Sequence, residues 1–333
     1  MAKAPDSWVA LDQVSAVVER LAVLLAAGIT PNAAWGYLAE AEPESEAPPG
    51  SVARIVHVVS RAEAGHSLGE AILEAVSASV PAVATSARRA ARSGQPETPT
   101  DLSAWRGLAA AWIVATDSGA PLAQSLIDFA TSLRSLAQAR RDASVALSGP
   151  AATAKLVLAL PAVGVLFGMA LGFDTLGTLF TTIPGLLCLV AGGSLLIAAR
   201  AWNRRLVAGS QPTELTPGLV LDLFAIAVSG GASLDRADFA VSHVAQRCGI
   251  GNARDRIEPV LDLARRAGVP AAALLRSEAD RVRRDATSDA HRRAARLAVT
   301  LMMPLGLCVL PAFMLLGVAP LMIAILSSTV GAL

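Results

Sequence analysis

The sequence predicts an all-α membrane protein with large helical segments outside the bilayer, and three observations carry that prediction. Hydrophobic residues make up 53% of the 333 and charged residues only 17%, against roughly 25% charged in an ordinary soluble chain. The mean hydropathy is correspondingly high, at +0.52. Aromatic residues account for just 4% while alanine and leucine dominate, a balance that suits helices rather than sheets. Finally, two stretches are starved of charge: 156–199 holds only Asp174, and 297–333 holds none.

A bilayer crossing needs about 20 apolar residues. The first stretch therefore predicts a hairpin of spans over 151–173 and 178–200, joined by a turn at Gly172-Phe173-Asp174. The second predicts a span over 297–317, about the third transmembrane helix, followed by an apolar tail that runs through Pro320 to Leu333. The expected order is a helical segment over 1–150, a membrane hairpin over 151–202, a shortened helical segment over 203–295 and a C-terminal membrane segment over 296–333. Met1 to Leu11 carries Asp6 and no apolar signal core, so internal segments are expected to direct insertion.

Basic residues set the orientation. Arg140 and Arg141 precede the first span, Arg200, Arg204 and Arg205 follow the second, and Arg283, Arg284, Arg292, Arg293 and Arg296 precede the third. The turn at 172–178 and the C-terminal tail have no Lys or Arg. Both helical segments are thus expected on the cytoplasmic side, with the C-terminus outside.

Within those segments the apolar spacing is helical. Val14, Val17, Val18, Leu21, Leu24 and Leu25 form one stripe. Leu122, Leu126, Phe129, Leu133 and Leu136 step alternately by four and three, as a packing seam does. Leu275, Ala279, Val282 and Ala286 repeat that stepping. Polar, proline-rich stretches at 42–50 and 93–101 read as linkers.

A turn signature recurs. It appears as Gly28-Ile29-Thr30-Pro31, Gly65-His66-Ser67-Leu68, Gly119-Ala120-Pro121-Leu122, Gly231-Ala232-Ser233-Leu234 and Gly268-Val269-Pro270-Ala271. Glycine ends a helix by accepting a left-handed backbone, and Ser, Thr or Pro suits the start of the next. A longer match joins the two halves: Arg140-Arg141-Asp142-Ala143 returns as Arg283-Arg284-Asp285-Ala286. In both copies a proline follows at the same distance, Pro161 and Pro304. The chain reads as two versions of one plan, with three turns in the first and two in the second.

These motifs resemble those of the type II secretion F-domain family, the inner-membrane platform proteins of type II secretion and type IV pilus machines. The likeness is carried by Leu24-Leu25-Ala26-Ala27-Gly28, by Ala64-Gly65-His66-Ser67-Leu68-Gly69-Glu70-Ala71-Ile72 and by Gly119-Ala120-Pro121-Leu122-Ala123. Val228-Ser229-Gly230-Gly231-Ala232-Ser233-Leu234 and Leu305-Gly306-Leu307-Cys308-Val309-Leu310-Pro311-Ala312-Phe313 carry it in the second half. The pattern is most similar to the TadB/TadC branch of tight-adherence (Flp) pilus assembly, as if a TadB-like part were joined to a TadC-like part. The resemblance implies a scaffold in the inner membrane that couples a hexameric secretion ATPase to pilin subunits. It also implies partnership with itself or with a second platform protein.

No catalytic pattern competes with that expectation. Gly-x4-Gly-Lys-Ser/Thr is absent, and Lys3 and Lys155 are the only lysines. His57, His66, His243 and His291 are scattered, and Cys188, Cys248 and Cys308 are too far apart for a metal cluster. No cofactor is expected, and a net charge of +1 gives no case for nucleic acid. A small-molecule or ion transporter is the rival reading, with Asp174 as its ion site. The neighbours of Asp174 favour a turn at the membrane surface instead. Lys155 is read as snorkelling to the interface. Arg140, Arg141, Arg283 and Arg284 are the candidate partner- or lipid-binding residues. Gly28, Gly65, Gly119, Gly231 and Gly268 are read as structural turns. Pro161, Pro184, Pro304 and Pro311 are placed inside spans, either as flexible joints or as local packing.

Overall fold

The computed structural model describes residues 7–42, 51–62, 67–93, 102–170, 182–209, 217–251, 254–300, 302–320 and 322–323, with Gly177 and Phe180 besides. Over 86–93 and most of 143–168 it describes the backbone alone. Every regular element among the described residues is helical. The chain divides into two compact units, Met1–Arg141 with Thr213–Asp289, and Asp142–Pro212 with Ala290–Leu333. Residues before 142 and residues from 213 to 289 thus belong to the same unit. Asp174 and Gly65 lie outside the described residues.

The helical unit contains α1 (Ser7–Ala26), α2 (Pro31–Ala41), α3 (Val52–Ser60), α4 (Leu68–Ser93), α5 (Leu102–Ser118) and the first part of α6 (Leu122–Ala170). It is completed by α8 (Leu219–Ser229), α9 (Leu234–Cys248), α10 (Arg254–Ala267) and the larger part of α11 (Ala271–Thr300). At its centre lie α5 and α8. From Ala104 to Ala115 only Arg106 escapes burial, and in α8 every residue from Leu219 to Ala227 is buried. Helices apolar on all sides take the middle of a bundle because they have no face to give to water.

Glycines set how closely those two helices approach. A methyl added at Gly107 would lie 3.0 Å from Phe129 Cζ and 3.2 Å from Leu219 Cδ2, and one at Gly230 would lie 2.3 Å from the Ser118 carbonyl oxygen. The start of α8 meets α5 near its start, and the end of α8 meets the end of α5, so the two run parallel. Trp35 of α2 packs against Trp105 and Trp112 of α5 at ring-centroid distances of 6.5 and 6.1 Å. Amphipathic helices surround this centre. The α1 stripe (Val14, Val17, Val18, Leu21) and the α6 seam (Leu126, Phe129, Leu133, Leu136) are buried where the spacing places them.

The membrane unit contains α7 (Ile183–Gly209) and a C-terminal segment over 302–318. Leu316 enters a notch at Gly192, where an added methyl would lie 2.5 Å from its Cγ. Further along, Ala199 and Leu196 meet Cys308 and Val309. The numbering falls on one side as it rises on the other, so the two are antiparallel. Ile183, Leu187 and Ile197 are more than 60% exposed on α7, as are Met303 and Leu307 on the C-terminal segment. Exposed apolar surface of this extent suits lipid rather than water.

Three helical stretches among the described residues are long and apolar enough to cross a membrane: Leu68–Thr85, Ile183–Asn203 and a stretch within Ala271–Val318. The last two overlap the spans expected over 178–200 and 297–317. The span expected over 151–173 falls largely within α6, on residues described by backbone alone. Leu68–Thr85 was not expected to cross. It has the lowest hydropathy of the three, 1.2, and it belongs to the helical unit. Its Ile72, Ala75 and Val76 are buried there, Gly69 abuts Ile113 of α5, and its Glu70 pairs with Arg247 of α9.

The prolines have distinct local consequences. Pro184 is not interior to a span, because it is the second residue of α7, where the missing N–H is among those a helix start leaves free anyway. Pro161 lies within α6. Pro304 is buried and ends the short helix α12 (Met302–Pro304). Beyond it the backbone opens into a π-type turn at Leu305–Val309, closes as α13 (Leu310–Phe313) and opens again at Met314–Val318.

Candidate functional site

The recurrent glycine turns have a common geometry. Gly28, Gly119, Gly231 and Gly268 have φ of +85°, +71°, +89° and +66°, a region closed to most side chains. The Gly28 N–H donates to the Leu25 carbonyl at 3.0 Å, and the Ile29 N–H donates to the Leu24 carbonyl at 3.1 Å. Together these close the end of α1 with two nested bonds. The same pair recurs at Gly119 to Thr116 with Ala120 to Ala115, and at Gly231 to Val228 with Ala232 to Ala227. Gly249, with φ +66°, makes it once more between α9 and α10. Sequence reading passed over that turn because Gly249-Ile250-Gly251 has no Ser, Thr or Pro to announce the next helix.

The most concentrated chemistry in the helical unit is a charge cluster joining α6, α8 and α11. Arg283 of α11 reaches inward, with 11% of its side chain exposed, and donates to Asp222 Oδ2 of α8 at 2.6 Å. Its other terminal nitrogen donates to Asp280 Oδ1 at 2.5 Å. Ser132 Oγ of α6 lies 3.4 Å from Asp222 Oδ2 and 3.0 Å from the Asp128 carbonyl. One turn away, Arg276 pairs with Asp128 at 3.1 Å, a second link between α11 and α6. Gly218 allows the approach: it takes φ +82° at the start of α8, where an added methyl would lie 2.9 Å from the Ala279 carbonyl oxygen.

Burial dominates the electrostatics here. It pushes the Asp222 carboxyl up to about 6, with the Arg283 charge and hydrogen bonds drawing it only part of the way back. The group is therefore mostly ionised at neutral pH and protonates on mild acidification. For Arg283, burial works against the charge, but Asp222 and Asp280 outweigh it and hold the guanidinium pKa above its ordinary value. Burial likewise pushes the Cys248 thiol up to about 11, so it is not poised as a nucleophile. Charge pairing between helices is what this arrangement can do.

Arg283, a candidate partner- or lipid-binding residue in the sequence, is engaged by Asp222 and Asp280 inside the fold. Arg284, beside it, is exposed. In the matching sequence of α6, Arg141 lies over the Trp8 ring at 4.0 Å and within 4.0 Å of Asp12, tying α6 to α1. Arg140 is half-buried. The two copies of Arg-Arg-Asp-Ala thus share a sequence but differ in burial: Arg283 is engaged in the interior, whereas the Arg141 side chain stays 43% exposed. Asp222 was missed in the sequence; its signal is a lone acid in the otherwise apolar run from Leu219 to Val228. Among the described residues no group of three His, Cys, Asp or Glu side chains is placed to hold a metal ion. Comparison with known protein families, with curated proteins and with solved structures finds no match.

Proposed function

We propose that this protein is an inner-membrane platform of a type IV (Flp/Tad) pilus or type II secretion machine, of the F-domain kind. In this reading the helical unit faces the cytoplasm and engages a hexameric ATPase, while the membrane segments meet pilin subunits. The chain transmits force and makes no bonds itself. The observation that carries the reading is the recurring glycine-turned αα-hairpin, together with apolar helices of membrane-crossing length in the same chain. The internal sequence match at Arg140 and Arg283 adds to it, as does the arginine bias toward one side of the spans.

The test is affinity capture from gently solubilised native membranes after crosslinking, with mass spectrometry of the partners. Recovery of a secretion ATPase and small pilin-like subunits is the expected result, along with loss of surface pili on deletion while pilin processing persists. Capture of neither partner would remove the proposal. Orientation has its own check: a reporter fused after residue 295 should behave as cytoplasmic.

A further inference from the structure

The two π-type turns of the C-terminal segment occur in register with Pro311 and Pro320. The first, Leu305–Val309, is centred on Leu307, four residues before Pro311; the second, Met314–Val318, is centred on Leu316, four before Pro320. In an α-helix the carbonyl at that position would take the N–H that proline lacks and would collide with the proline ring. Opening the turn relieves the collision, and it leaves the helix with fewer or poorer hydrogen bonds at those points. Each opened turn also contains a glycine, Gly306 or Gly317, which lowers local stiffness.

The two turns differ in what holds them. At the first, Cys308 and Val309 are buried against Ala199 and Leu196 of α7, while Leu307 on the same turn is 69% exposed. At the second, Leu316 is the side chain that fills the Gly192 notch, within van der Waals reach of the α7 backbone. Unlike the first, this contact depends on one side chain fitting one missing side chain.

We propose that the C-terminal segment is a jointed helix, with the proline-opened turns as its joints and Leu316 in the Gly192 notch as the latch on the second. When Leu316 is seated, Met314–Val318 is fixed against α7. When it withdraws, the helix bends at Met314–Val318 and keeps its contact at Cys308 and Val309. This goes beyond the platform reading and stands whether or not that reading holds.

Hydrogen exchange on the full chain in lipid nanodiscs, read by mass spectrometry, tests it. Restoring both N–H groups with Pro311→Ala and Pro320→Ala should slow exchange across 305–318 by about tenfold, the scale of one regained hydrogen bond. Exchange in α5 should stay unchanged. Gly192→Ala should expel Leu316 and speed exchange at 314–318 by a similar factor, about tenfold, without changing 305–309. If Gly192→Ala does not insert stably, Leu316→Ala empties the notch with no added bulk and should give the same pattern. Unchanged exchange at 305–318 in the proline variant would overturn the joints. An unchanged rate at 314–318 in the notch variants, or a rise spread equally over α7, would overturn the latch.

Discussion

The helical unit and the membrane unit are held together by opposite kinds of side chain. In the first, the largest residues go to the middle, with Trp35, Trp105 and Phe224 almost fully buried. Ion pairs then join helices across the surface and, at Asp222–Arg283, in the interior. In the second, Leu316 is seated at Gly192 and Val309 and Cys308 against Ala199, so small residues on α7 set the approach, while Ile183, Ile197 and Leu307 point outward. Water drives bulky apolar groups inward because their hydration is unfavourable. Lipid tails exert no such drive, so helices associate there by close approach over small residues. One chain therefore needs two packing rules, and each can be tested against the other.

The largest effect should come from Arg283→Met, which keeps much of the volume and leaves Asp222 buried without its partner. Breaking a buried pair from one side costs on the order of 3 to 5 kcal/mol, and urea unfolding followed by far-UV circular dichroism would read it. A loss below about 1 kcal/mol, the scale of an exposed pair, would mean that apolar packing alone joins α8 to α11.

Acidity should reveal the same cluster with a defined sign. Asp222 holds its proton more tightly in the fold than in the unfolded chain, its carboxyl rising from 3.8 to about 6. The stability this gives is full below about pH 3.8 and is lost as the pH climbs through about 6. A shift of that size corresponds to about 3 kcal/mol. The stability of the wild type relative to Asp222→Asn should thus fall by about that amount across the window and stay level above it. A rise instead would mean that Arg283 attracts the carboxylate more strongly than burial penalises it.

Glycine substitutions sharpen the comparison directly. Gly230→Ala in the helical unit forces a methyl onto the Ser118 carbonyl and should cost about 1 to 3 kcal/mol. Gly193→Ala in α7 meets nothing within 4 Å. There the better helix propensity of alanine should stabilise by about 0.5 to 1 kcal/mol, seen as a small rise in melting temperature. The smallest effect belongs to Arg247→Ala, which removes an exposed pair with Glu70. Its melting temperature should stay within error of the parent, because water solvates both charges as well as they solvate each other.

Local signals were readable in the sequence and distant ones were not. The turns at Gly28, Gly119, Gly231 and Gly268 announce themselves through glycine followed by a capping residue or proline, all within a few positions. The α6 seam and the α1 stripe follow from spacing alone. Asp222 and Arg283 are partners across 61 residues, and no periodicity links them. Composition also fails to separate Leu68–Thr85 from a membrane span, since a core helix and a lipid-facing helix can share one hydropathy. What separates them is Gly69 against Ile113 of α5 and Glu70 against Arg247, contacts that only the fold defines. The proline-opened turns lie between these cases. Pro311 and Pro320 are visible in the sequence, but a proline can be met by an opened turn or by a kink, and spacing alone does not distinguish the two.

The parallel contact of α5 with α8 has a consequence for the order of assembly. Gly107 and Leu219 touch although they are about 110 residues apart in the chain, so a ribosome adding roughly 5–20 residues per second needs roughly 5–20 s to make the second after the first. Through that interval α5, apolar on nearly every side from Ala104 to Ala115, lacks the helix that covers it. The intervening chain includes α7, which must be delivered to the bilayer in the meantime. Nascent chains stalled just before Leu219 should therefore be cut by protease within 102–118, and chains stalled beyond Thr300 should resist. Synthesis of this protein carries a period in which a central, almost wholly buried helix has to be shielded by something other than its own fold.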